Sequence, residues 1–369
     1  MKFFNFDLHV SVIADLKKIF EEMGHEVTSW SGAGGDWIFK RKRFPEKVDV
    51  VNEDNWWRLD KEKCDAFYER YKDELSQYDA FICCHPPCFS LLFEKFNKPI
   101  IIQCSIRYEA PFNKDAEKWE YFNEYLRKGI DSGRIFVVAN SEYDKRYFEF
   151  FVKRECLLIP NLCEYTNSKW TPQYNHFIFS SRLNIDFKSQ LIIHKHRLGR
   201  YEWSELAKFL GQIIIPYNVS TMSIFEHYTA NIPMFFPSHK FMMELYEHYG
   251  RGEYDKTAVL SEISWCQVSI DMPEEKRQRS IIDCDRENDP NDYKNLEIVS
   301  NWLKYADFYN QDWMPFIIYF DSFDDLVNKV HTTNLIEVSN KMKDFNIIRK
   351  QKVYSSWQNI IKKIEQTNG

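Results

Sequence analysis

The sequence predicts an α/β protein built from two parallel, doubly wound sheets, and three observations carry that expectation. Through the first part of the chain, from Lys2 to Ile159, short apolar runs with strand character alternate with segments of helical period. That alternation is the signature of a parallel sheet, because parallel strands need a crossover, usually a helix, to return the chain. A polar stretch from Cys163 to Gln173, containing Pro172, then separates this half from a new strand starting at His176. Finally, GQIIIPYNVSTMSIFEHYTANIPMFFPS, Gly211 to Ser238, reads as strand, polar loop, helix and strand. In such a unit the ligand edge lies at the strand's carboxyl end.

The elements follow in order. Lys2 to Phe6 reads as the first strand, and Val10 to Met23 as a helix with Val12, Ile13, Leu16, Ile19, Phe20 and Met23 on its apolar face. Gly24 ends that helix, as a residue free to take positive φ. Further strands are expected at Glu26 to Trp30, Val48 to Val51, Ala80 to Cys84, Pro99 to Gln103, Ile135 to Ala139 and Leu157 to Ile159. Helical stretches fall at Lys61 to Leu75, Phe89 to Phe96, Lys114 to Lys128 and Glu142 to Phe151. In the second half, the segment between Arg182 and Gly211 is short for strand–helix–strand, which predicts a reduced domain. A charged insertion from Lys240 to about Tyr293 has no clean period, leaving a helical excursion, a lid or a mobile loop open. Beyond it come a strand at Phe316 to Phe320 and a helix beginning near Ser322, where Ser322 and Asp325 have capping-box spacing. The tail from Asn340 to Lys363 reads as one or two helices.

Composition narrows the function. At 369 residues the chain has room for two domains, each with its own core. Aromatics reach 17%, with 30 Phe, 21 Tyr and 11 Trp, which argues for a folded protein and against disorder. The formal charge of −6 leaves no basic footprint for nucleic acid. Two basic runs, Lys40 to Arg43 and His194 to Arg200, read either as solvated faces or, for the second, as part of an anion site. The nine cysteines show no zinc spacing and no disulfide framework, which favours a reducing compartment. The amino terminus is interrupted by Asp7 and His9, unlike a signal peptide, and no apolar run approaches the roughly 18 residues that span a bilayer. A cytoplasmic protein without a transmembrane segment is expected.

The chemistry concentrates in the loop after Ile215. Asn218, Ser220, Thr221 and Ser223 offer polar side chains, and the following helix start offers free N–H groups, an arrangement that suits a phosphate. Glu226, in the first turns of that helix, has two oxygens able to accept from a ribose diol. The same residue types also serve as helix caps and as an acid favouring the helix dipole.

On these residues the chain resembles the GT-B glycosyltransferases of glycan synthesis. FFNFDLHVSVIADLKKIFEEMGHEVTSW is similar to the opening of their amino-terminal domain, and Phe136 to Tyr165 to its end. HFIFSSRLNIDFKS resembles the first strand and loop of their nucleotide domain, so that Arg182 and Lys188 stand where cations neutralise the donor diphosphate. The resemblance implies two Rossmann-like domains facing a cleft, residues 1–170 on the acceptor side and 171–340 on the nucleotide-sugar side, with a helix at 341–369 returning to the first domain. It implies transfer of a sugar from a nucleotide-diphosphate sugar to a glycan or other hydroxyl acceptor. The donor contacts would be Arg182, Lys188, Asn218, Ser220, Thr221, Ser223 and Glu226. Asn218 stands where retaining members often carry a glutamate, which favours inversion, and no metal or other cofactor is expected.

Inversion requires a base for the acceptor hydroxyl. His9, just past the first strand, is the candidate, with Asp7 as its orienting partner or as the base itself; capping or plain exposure of His9 is the alternative. His85, in CCHPP, is a second histidine beyond a strand. Arg107 and Glu109, in CSIRYEAPF, would shape the acceptor side unless they form a surface ion pair. The Gly-rich SGAGGD, Ser31 to Asp36, lacks a phosphate-loop lysine and reads as an acceptor-side loop. Asp283 and Asp285 are an alternative divalent-cation pair. A nucleotide-sugar epimerase on the same fold and a non-catalytic glycan- or nucleotide-binding subunit are the competing functions.

Overall fold

The structure, a computed structural model, describes residues 1–33, 48–187, 189–250, 259–260 and 287–367. Lys188, the Lys40 to Arg43 run, Asp283, Asp285 and the end of SGAGGD lie outside the described residues, as does much of the charged insertion. The chain divides into two compact units, the first holding, among the described residues, Met1–Asn161 and the chain from Lys352 on, the second the described residues between Leu162 and Gln351. Each unit contains one parallel sheet.

In the first unit β1 (Lys2–Asp7) leads through α1 (Val10–Glu22) to β2 (Glu26–Ser31), and α2 (Lys61–Leu75) leads to β3 (Ala80–Cys83). Then follow β4 (Ile100–Cys104), α3 (Ala116–Asp131), β5 (Ile135–Ala139), α4 (Glu142–Val152) and β6 (Leu157–Leu158). The strand order is β2-β1-β3-β4-β5-β6, every pair parallel. Phe3, Phe4 and Phe6 of β1 are fully buried, as expected of a central strand covered on both faces. Local chemistry starts the helices: the side chains of Asp60, Asp115 and Ser141 accept the backbone N–H of Lys63, Lys118 and Asp144 at 2.9, 3.1 and 3.0 Å. Gly24 sits just past α1 at φ +87°, a conformation that costs other residues a Cβ clash.

Two sequence expectations change here. Val48 to Val51 is not a strand, although Val48 and Val51 are buried. The Asn52 amide donates to the Val48 carbonyl at 3.0 Å, and Asn55 bonds both the Asn52 N–H and the Val50 carbonyl, so asparagine side chains take the partners a ladder would need. The apolar stretch at Phe89 to Phe96 is a 3-10 helix, Pro87–Phe96.

The second unit contains β7 (Phe177–Ser180), β8 (Ile192–His194), α5 (Trp203–Leu206), β9 (Gly211–Ile214), α6 (Met222–Thr229) and β10 (Met234–Pro237). It continues with α7 (His239–Leu245), α8 (Leu296–Leu303), β11 (Ile318–Phe320), α9 (Phe323–Thr332) and α10 (Leu335–Thr367). Its sheet runs β11-β10-β9-β7-β8, again parallel throughout. The crossover after β8 is reduced to the single turn α5, in line with the short Arg182 to Gly211 segment. Gly211 opens β9 where an added Cβ would lie 2.7 Å from the Pro233 carbonyl, so close strand approach requires glycine. The Ser322 hydroxyl caps α9 by accepting the Asp325 N–H at 3.0 Å, while the Asp325 carboxylate accepts from Asp321 rather than completing a capping box with Ser322.

The tail is one helix rather than two. Up to Gln351, α10 belongs to the second unit, where Ser339 donates to the Asn231 carbonyl at 2.8 Å and Arg349 to the Thr229 hydroxyl at 3.0 Å. From Lys352 it belongs to the first, where Trp357 packs edge-on against Phe20 at 5.3 Å and Ile360, Ile361 and Ile364 are buried. Among the described residues, no helix is long and apolar enough to cross a membrane.

In both sheets the first strand lies between the second and third, so the chain reverses its winding direction at β1/β3 and at β7/β9. Crevices that admit ligands form at the carboxyl ends of strands flanking such a reversal. Asp7 and His9 lie at the first of these points, and Arg182, Thr221 and Ser223 at the second.

Candidate functional site

At the β7/β9 reversal a cavity of about 380 Å³ opens, within the size range of small-molecule sites. Ser180, Ser181 and Arg182, at the end of β7, form one side. Ile215, Pro216 and Tyr217, past β9, continue it toward Thr221 and Ser223 at the start of α6. Lys195, His196, Gly199 and Tyr201, from the turn after β8, form the third side. Gly199 supports that turn at φ +61°.

Among the described residues, the lining carries Arg182 and Lys195 and no carboxylate. Each cation is seated on an aromatic ring: the Arg182 guanidinium lies 4.3 Å from the Tyr217 centroid, and the Lys195 ammonium 5.1 Å from that of Tyr201. Both rings remain over a third exposed, Tyr217 at 37% and Tyr201 at 39%. The Thr221 hydroxyl does not cap α6, although Thr221 occupies the capping position. It lies 3.1 Å from the Ser223 hydroxyl instead, which places two hydroxyls beside the helix's first N–H groups. A cavity with two cations, paired hydroxyls and a helix start is suited to a polyanion.

Three other donor candidates stand differently. Asn218 uses its side-chain oxygen to accept the Val219 N–H at 2.8 Å, shaping the loop. The Ser220 hydroxyl is buried and, among the described residues, has no hydrogen-bond partner. Glu226 departs from the expected open pair of acceptors. Its carboxylate accepts the Tyr165 hydroxyl at 2.5 Å and the Trp203 indole N–H at 3.0 Å, and burial raises its pKa. It does not line the cavity. Lys195 and His196 belong to the basic run His194 to Arg200, one reading of which is an anion site, whereas nothing local in the sequence marks Tyr201 and Tyr217.

At the β1/β3 reversal, Asp7 is fully buried. Its carboxylate accepts the Asn5 amide at 2.8 Å, the Cys84 N–H at 3.0 Å and the His85 N–H. Burial, opposed by these donors, pushes its pKa up to about 7. Asp7 therefore ties the end of β3 to the end of β1, and its described hydrogen bonds do not include the His9 ring. His9 precedes α1 without capping it, and its Nδ1 is buried with no partner among the described residues. Its neighbour is His85, with ring centroids 5.3 Å apart. Burial lowers the pKa of His9, and that of His85 to about 3, which favours the neutral form of both imidazoles.

Arg107 and Glu109 are buried rather than displayed, and form no surface ion pair. The Arg107 Nε lies 3.1 Å from an Asp144 carboxylate oxygen, and its guanidinium stacks over Tyr143 at 4.7 Å. Tyr147 donates to Glu109 at 2.9 Å, and burial pushes the Glu109 carboxyl up to about 8. This cluster braces the loop after β4 against α4. Among the described residues, no three His, Cys, Asp or Glu side chains are grouped to hold a metal ion.

No protein-family model and no curated protein sequence matches the chain. Among solved structures it is similar to the glycosyltransferase SnogD from Streptomyces nogalater, at 10% identity and a TM-score of 0.36, over 89% of this chain and 98% of that one. It is also similar to the glycotransferase of kitacinnamycin, at 8% identity and a TM-score of 0.42, over 97% of this chain and 98% of that one.

Proposed function

We propose that the protein is a glycosyltransferase of GT-B type that moves a sugar from a nucleotide-diphosphate sugar to a glycan or other hydroxyl acceptor. The observation that carries this reading is the cavity at the β7/β9 reversal, with Arg182 and Lys195 on two sides, Thr221 and Ser223 at a helix start, and no carboxylate among the described lining residues. A departing nucleotide diphosphate gains negative charge as the glycosidic bond breaks, and fixed cations and N–H dipoles stabilise that charge. Arg182 supplies a planar fork for phosphate oxygens and Lys195 a point charge. The half-exposed Tyr201 and Tyr217 offer ring faces for a base.

In the first unit, His9 is the base in this reading. A neutral imidazole can take the acceptor hydroxyl's proton as that oxygen attacks the anomeric carbon opposite the leaving phosphate. The configuration at that carbon is inverted. Asp7 contributes by anchoring His85 beside His9. The two cations and the α6 start balance the diphosphate in this scheme without a metal ion. A thermal-shift screen of UDP-, GDP- and dTDP-sugars, followed by product analysis with hydroxyl acceptors, tests the reading. Stabilisation by a nucleotide sugar and transfer to an acceptor support it. Isomerised donor without acceptor points to an epimerase, and binding without turnover to a non-catalytic subunit; either result removes the transferase assignment.

A further inference from the structure

Glu226 connects two walls of the cavity it does not enter. It sits on α6, whose start presents Thr221 and Ser223. Trp203 opens α5, directly after the segment that presents Lys195, His196 and Tyr201. The Trp203 N–H to Glu226 bond of 3.0 Å therefore ties the Lys195–Tyr201 wall to the α6 wall. Tyr165, from the turn Glu164–Thr166, bonds the other carboxylate oxygen at 2.5 Å and packs edge-on against Trp203 at 5.5 Å. Turning this carboxylate toward a sugar diol would break both of these part-buried hydrogen bonds, which opposes the move.

We propose that Glu226 is a positioning residue, holding the Lys195–Tyr201 wall through Trp203, and that the cavity takes a nucleoside diphosphate without reading the ribose 2′-hydroxyl through this carboxylate. The proposal rests on the nucleotide reading of the cavity and sharpens its substrate class. Lys195 and Tyr201 then reach the ligand only while Trp203 is anchored.

The test is calorimetric titration of the full chain with UDP, GDP, ADP and CDP and their 2′-deoxy forms. In Glu226→Gln and in Trp203→Phe, the ribo and deoxy ligands of a binding pair weaken by the same factor, on the order of tenfold. The double variant is no weaker than the worse single one, because one interaction is shared. In a Lys195→Ala/Tyr201→Ala background, Trp203→Phe costs no further affinity, a coupling that general destabilisation does not produce. Selective loss of ribo binding in Glu226→Gln overturns the proposal, as does wild-type affinity in Trp203→Phe or an additive loss in the truncated background. If Glu226→Gln does not fold, the Trp203→Phe outcomes decide alone. Absence of binding by all eight nucleotides to the wild type instead removes the nucleotide reading itself, and this proposal with it.

Discussion

The guanidinium of Arg182 lies over the ring of Tyr217, 4.3 Å from its centroid, in the lining of the β7/β9 cavity. The ring face favours this placement of the cation, which lowers the ordering cost of the arginine side chain when an anion binds. Arg182→Ala is expected to weaken nucleoside-diphosphate binding about tenfold or more, the worth of a charge-assisted contact. Tyr217→Phe keeps the ring and should stay near wild type, with Tyr217→Ala between the two. Calorimetry on the three variants checks the ranking.

His9→Ala is expected to lower turnover about a hundredfold or more while leaving donor affinity near wild type. Because burial lowers the His9 pKa, the acid limb of kcat/KM should fall below the ordinary imidazole value of 6.5. A pH–rate profile with an acid limb above that value would count against His9.

EDTA treatment is expected to leave transfer unaffected. The product should carry the anomeric configuration opposite to the donor's, read by NMR of the first-formed glycoside. Retained configuration would require a second group at the anomeric carbon and would displace His9 as base.

Glu109 provides a stability prediction with a definite sign. Burial pushes its folded carboxyl up to about 8, against an ordinary value of 4.5. The folded chain thus binds more protons than the unfolded chain between these values, and stability falls as pH rises through that window. Asp7 acts in the same direction up to about pH 7. Glu109→Gln keeps an acceptor for Tyr147 while removing the proton, so its urea midpoint should change less between pH 5 and 8 than that of the wild type.

Trp357 is fully buried against Phe20. Trp357→Ala is expected to cost about 3–5 kcal/mol, the usual penalty for emptying a large aromatic site. Chemical denaturation followed by fluorescence of the remaining tryptophans measures it.

Much of the architecture was legible from one-dimensional pattern, because strand and helix periodicity are local. The β1–α1–β2 opening, the strand pair around α6, the Ser322 cap and the shortened crossover before Gly211 all follow from residues close in sequence. Val48 to Val51 misled because asparagine side chains, which a hydropathy pattern does not weigh, claimed the backbone.

The sequence by itself determined an α/β protein of two parallel halves and drew attention to Arg182, Thr221, Ser223 and His9 through their place after strands. Only the tertiary structure decided which polar groups are committed to one another. Glu226 meets Tyr165 across 61 residues of chain and Trp203 across 23, and Asp7 meets His85 across 78. Arg107 and Glu109 disappear into a buried cluster with Asp144 and Tyr147, while Lys195 joins Arg182 from a different crossover. The physical reason is desolvation: a buried carboxylate takes whatever donors the folded chain brings to it, and their identity depends on topology rather than on the residues beside it.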